Sequence, residues 1–101
     1  MNTIEVTFVH IYLTEHRGQL EALLEQLHDR EKVRGVTVFR GISGFGRSGK
    51  MHSSSLLDIS LDLPLVVEFF DEPARVEAIL EHLSARFEPG HIVFWPGRVN
   101  A

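Results

Sequence analysis

Two stretches of this sequence carry the same apolar spacing, and that repetition constrains the fold more than any other feature. Leu20, Leu23, Leu24 and Leu27 fall at i, i+3, i+4 and i+7, and so do Val76, Ile79, Leu80 and Leu83. Such spacing draws one apolar stripe along a helix. Glu21, Glu25, Gln26 and Asp29 lie off the first stripe, as a solvent side should. The spacing predicts a first helix over 17–32. The second helix opens at Asp71-Glu72-Pro73, with acids at the positive end of the helix dipole and proline in an early position.

Segments of strand character flank each helix. Residues 3–13 (TIEVTFVHIYL) are rich in β-branched and aromatic side chains. Gly35 breaks the first helix, and residues 36–42 read as a second strand. Residues 61–70 (LDLPLVVEFF) are mostly apolar and read as a central strand, with Pro64 near the start, where a strand tolerates it. Pro89-Gly90 makes a turn, and residues 91–95 (HIVFW) form a fourth strand closed by Pro96-Gly97. Residues 98–101 read as a frayed end.

The order is therefore strand, helix, strand, long loop, strand, helix, strand, in two halves of nearly equal length. This is the α+β, ferredoxin-like βαββαβ plan: an antiparallel sheet with two helices on one face. A chain of 101 residues is one domain, 1–101, and has nothing left to cover the other face. A second copy of the chain is the simple cover, so an oligomer is expected.

Composition narrows the function. There are no cysteines, which excludes a disulfide scaffold, a thiolate zinc site and a cysteine nucleophile. The start of the chain lacks the basic and apolar regions of a signal peptide, and no uncharged run reaches a membrane span. A cytoplasmic location is the default expectation. The net charge of −4 argues against a nucleic-acid binder.

That charge is unevenly spread. From Lys32 to Leu57 there is no acid, and Lys32, Arg34, Arg40, Arg47 and Lys50 give +5, leaving −9 for the rest of the chain. Four of the eight glycines stand between positions 41 and 49 of the same stretch. The loop of about 43–57 shows no apolar period, and loops of that length in compact domains are usually functional or disordered. Glycine lets backbone N–H groups approach an anion, so this basic loop reads as an anion grip. Lys50 and His52 belong to it.

Two familiar motifs match the loop by letter only. Gly44-x-Gly46-x-x-Gly49 fits a dinucleotide fingerprint, and Gly44-x-x-x-x-Gly49-Lys50 fits a phosphate-binding loop up to its last residue. Both need a helix directly after the loop to hold the phosphate. Met51-His52-Ser53-Ser54-Ser55 starts none, and Met51 replaces the magnesium-binding Ser or Thr. No histidine pair has metal spacing, the serine run has no His/Asp order of a triad, and no catalytic constellation or metal site emerges.

Gly44-Phe45-Gly46-Arg47, after Gly35-Val36-Thr37-Val38, resembles the PII signal-transduction superfamily, which carries Gly-Phe-Gly-Arg at the start of a long mobile loop. The PII-like family called domain of unknown function 190 is more similar still. That likeness runs through 35–42, Gly44-Phe45-Gly46, His52-Ser53, Leu56-Leu57-Asp58-Ile59-Ser60 and Asp62-Leu63-Pro64-Leu65-Val66-Val67-Glu68. The resemblance implies a non-enzymatic signalling protein, built as a homotrimer, with adenine nucleotides bound in clefts between subunits. Carried over by position, it points to Thr37, Gly44, Phe45, Gly46 and Arg47, and to Gly90 and His91 in the second turn. His91 stands where PII has a lysine, so a permanent charge becomes a titratable one. The ligand implied is a small anion such as AMP, ADP or ATP. The loop would engage a partner protein, with a membrane transporter or channel as the class in view. Two alternatives use the same architecture: a cofactor-free dimeric α/β-barrel enzyme and a trimeric metal-tolerance protein.

Overall fold

The computed structural model describes residues 1–14, 18–45, 49 and 63–101, and the backbone of 52–53. Strand β1 is Thr3–Thr14, helix α1 is Gln19–Glu25, β2 is Val36–Arg40, β3 is Ser43–Gly44 and β4 is His52–Ser53. Strand β5 is Pro64–Asp71, helix α2 is Pro73–Leu83 and β6 is Ile92–Asn100. The main sheet has the order β2-β5-β1-β6, with every neighbouring pair antiparallel. This is the ferredoxin-like order expected from the two half-repeats.

Both helical stripes do what their spacing requires. Leu23 and Leu27 from the first, and Val76, Ile79 and Leu83 from the second, are at most 2% exposed. They pack on Val9, Ile11, Leu13, Leu65, Val67 and Phe69, alternate residues of the two central strands. Each such side chain removed from water contributes roughly 1.5–3 kcal/mol before ordering costs. Strand β5 alternates buried and half-buried along its whole length. It is central, as predicted, but only one of its faces is fully buried.

The helix ends are tied across the layer. The first helix leaves the α register at a π turn, Gln26–Arg30, where the Glu31 N–H reaches the Gln26 carbonyl at 2.9 Å. Glu31 accepts from Gln26 Nε2 at 2.6 Å and pairs with His82 Nδ1 at 3.0 Å. Arg75 donates to the carbonyls of Glu31 and Lys32, joining the start of α2 to the end of the first helix.

Three expectations are corrected. The predicted helix over 17–32 is shorter in its α part, because the chain switches to i→i+5 bonding at Gln26. The predicted unstructured loop contains a small ladder, β3 with β4, pairing Ser43 with Ser53 and Gly44 with His52. The predicted frayed end is strand: β6 continues through Pro96-Gly97 to Asn100, and the Ala101 N–H donates to the Asn2 carbonyl at 2.9 Å. Pro96 is tolerated because β6 is an edge strand. Gly97 is needed because a Cβ there would lie 2.4 Å from the ring of Phe8.

Candidate functional site

The loop base and the turn before β6 converge on one end of the sheet. Strand pairing brings Thr14 beside Pro64 and Leu13 beside Leu65 on one side of β5, and Arg40 beside Leu65 on the other. The Gly41 N–H then donates to the Pro64 carbonyl at 2.7 Å. A Cβ on Gly41 would stand 2.7 Å from the Pro64 ring, so only glycine permits this approach. The chain therefore turns off β2 at a fixed point, and Gly44 and Phe45 leave the sheet there.

The result is a cleft of about 630 Å³, within the usual range for small-ligand sites. Tyr12, Leu13 and Thr14 line it from β1, and Phe39 and Arg40 from β2. Gly44 and Phe45 enter from the loop base, and Glu88 and His91 from the second turn. Phe45 is 71% exposed and Phe39 is 50% exposed, so the aromatic lining is open to a ligand or another chain.

His91 is held in place twice. The Tyr12 N–H donates to the His91 carbonyl at 2.9 Å, and the imidazole Nδ1 lies 3.1 Å from the Tyr12 carbonyl oxygen. The preceding turn closes with the His91 N–H on the Glu88 carbonyl, and Gly90 takes φ 92°. Arg40 and Glu88 place one cationic and one anionic group on the same cleft.

Of the residues expected from sequence, Gly44, Phe45 and His91 meet in this cleft. Gly90 shapes the adjoining turn. Thr37 lies elsewhere, opposite Glu68 on the open face of the sheet, and does not line the cleft. Gly46, Arg47, Lys50 and the side chain of His52 lie outside the described residues.

Sequence reasoning missed Tyr12, Phe39 and Glu88. The two aromatics come together only through register, since both stand opposite Val66. It also missed a polar pair in the middle of the open face. His10 Nε2 lies 2.7 Å from Glu68 Oε2, and the His10 ring stands edge-on to Trp95 at 4.8 Å. Trp95 stacks on Phe8 at 5.7 Å, and Phe8 meets Phe70 at 5.2 Å. The only available signal was the alternation of β1, where Phe8, His10 and Tyr12 share one face.

A family model described as DUF190, Uncharacterized ACR, matches residues 6–99. A UPF0166 protein of Aquifex aeolicus (strain VF5) is 34% identical over 90 residues, covering 85% of this chain and 86% of its own. CPII is a nitrogen regulatory PII-like protein from Thiomonas intermedia K12. Its structure bound to ADP, AMP and bicarbonate has a TM-score of 0.69 to this chain, at 22% identity, covering 97% of this chain and 89% of that one. CPII bound to ADP and bicarbonate has a TM-score of 0.67, with the same identity and coverage. These likenesses show a PII-like ferredoxin fold. No described helix is long and apolar enough to cross a membrane.

Proposed function

The chain belongs to the DUF190 family, and from that footing we propose that it is a non-enzymatic, PII-like sensor of a small anionic ligand, an adenine nucleotide. Its subunits assemble as a homotrimer through the open face of the sheet. The nucleotide sits at the cleft on the sheet end, where a neighbouring subunit completes the wall. The loop of about 43–57 carries the bound state to a partner protein, a transporter or channel being the class the family resemblance suggests.

One observation carries this reading: the loop base at Gly44-Phe45 and the second turn at His91 enter one cleft from opposite sides. A ligand touching both links the position of the loop to occupancy through differential contacts. Tyr12 and Phe39 offer aromatic surface for a base. Arg40 offers fixed positive charge, and Arg47 follows in the loop. The structures of CPII with ADP, AMP and bicarbonate support a nucleotide as the ligand class. An open face bearing Phe8, Tyr12, Phe39 and Trp95 supports assembly, since an exposed apolar patch of that kind marks an interface.

Calorimetric titration of the native assembly with AMP, ADP and ATP tests the proposal. Saturable binding at one site per chain is expected. Arg47→Ala should weaken it by roughly 1–3 kcal/mol, as loss of a charge-assisted contact does. No heat of binding at millimolar nucleotide would remove the ligand from the account, and an unchanged affinity in the variant would remove Arg47 from the site.

A further inference from the structure

We propose that His91 is a proton-gated anion contact, so that ligand capture in the cleft is coupled to proton uptake; this rests on the nucleotide reading of the cleft above. The basis is the 3.1 Å bond between His91 Nδ1 and the Tyr12 carbonyl. A carbonyl oxygen only accepts, so Nδ1 must carry the proton. In the neutral ring Nε2 is then left with a lone pair and no hydrogen. A lone pair repels an anionic oxygen.

Protonation reverses this. The Nδ1–H stays on Tyr12, and Nε2 gains a hydrogen and the ring a positive charge. His91 then becomes a charge-assisted donor. The backbone bond from Tyr12 to the His91 carbonyl holds the residue on β1 in either state. An anion prefers the charged form, so binding takes up a proton and affinity rises as pH falls.

The groups that share the cleft set the balance. The Glu88 carboxylate, from the same turn, favours the charged imidazole and opposes the anion. Arg40, from β2, does the reverse on both counts. Tyr12, from β1, lines the same cleft. With Arg40 already supplying constant attraction, His91 adds a contact that depends on pH.

Two measurements test this. Ring-nitrogen NMR of histidine-labelled, ligand-free protein at pH 8, assigned with His91→Gln, should show the Nδ1–H tautomer for His91. The Nε2–H tautomer would overturn the inference without touching the nucleotide reading. Calorimetric titration with AMP at pH 6, 7 and 8 then compares wild type, His91→Gln and His91→Lys. The ratio of wild-type to His91→Gln affinity cancels titration of the AMP phosphate. It should rise as pH falls, by at most about tenfold per unit, with extra proton uptake in wild type. His91→Lys should bind well at all three pH values. A flat ratio with normal binding overturns the inference alone. No binding by any of the three proteins overturns the nucleotide reading and the inference with it.

Discussion

The two faces of the sheet are made from alternate residues of the same strands, yet they are finished differently. On the helix side, Val9, Ile11, Val67 and Phe69 are sealed beneath Leu23, Leu27, Val76, Ile79 and Leu83. On the other side, Phe8, His10, Tyr12, Phe39 and Trp95 form an aromatic surface with a polar pair at its centre, and no described helix covers it. One face is mainly aliphatic and closed, and its buried side chains form the core. The open face keeps rings, an imidazole and a carboxylate, groups suited to contacts with something outside the chain. The helices cover one face of the sheet and leave the rings of the other exposed.

The sharpest way to break that comparison is to cut into each face in turn. Leu27→Ala, in the closed layer, should lower unfolding free energy by about 2–5 kcal/mol, the range for a buried leucine. Chemical denaturation measures it, and a cost below 1 kcal/mol would mean that the first stripe is not core. Phe39→Asp, on the open side, should do the opposite. Circular dichroism should keep its helical and strand signal, while the mass by analytical ultracentrifugation falls to one chain. Unchanged mass would show that Phe39 is not at an interface.

The smallest effect concerns the His10–Glu68 pair. In the isolated chain a partly exposed hydrogen-bonded pair should show a coupling of about 1 kcal/mol in a double-mutant cycle. Within an assembly that covers the face, the coupling should grow, because the same hydrogen bond is stronger away from water. Equal coupling in a monomeric background and in the native assembly would show that nothing covers the pair.

Periodicity made the closed face legible. Stripes at Leu20 to Leu27 and Val76 to Leu83 report helices directly, and the element order then fixes the sheet. What stayed hidden depends on contacts between distant residues. Pro96-Gly97 has the letters of a turn, but its meaning is set by an edge position and by the ring of Phe8. The π turn at Gln26 ends beside the contact of Glu31 with His82 of α2, a pairing that no local pattern states. The short ladder of β3 and β4 is too brief to leave an alternation.

The candidate site divides in the same way. Gly44, Phe45 and His91 were legible because they sit in a loop and a turn that resemble a known family. Tyr12 and Phe39 were not, because each reads as an ordinary strand aromatic until register sets both against Val66. The proton on His91 Nδ1 could be assigned only once the Tyr12 carbonyl was found beside it.

In the proposed function, the open side of this molecule binds a nucleotide where one chain meets the next. A crystal structure of the native assembly soaked with AMP tests it most directly. Density for the nucleotide is expected in the cleft between Tyr12, Phe39 and His91, with a neighbouring subunit closing the wall. Nucleotide bound on the helix side, or a cleft left empty and facing solvent in the assembly, would contradict it.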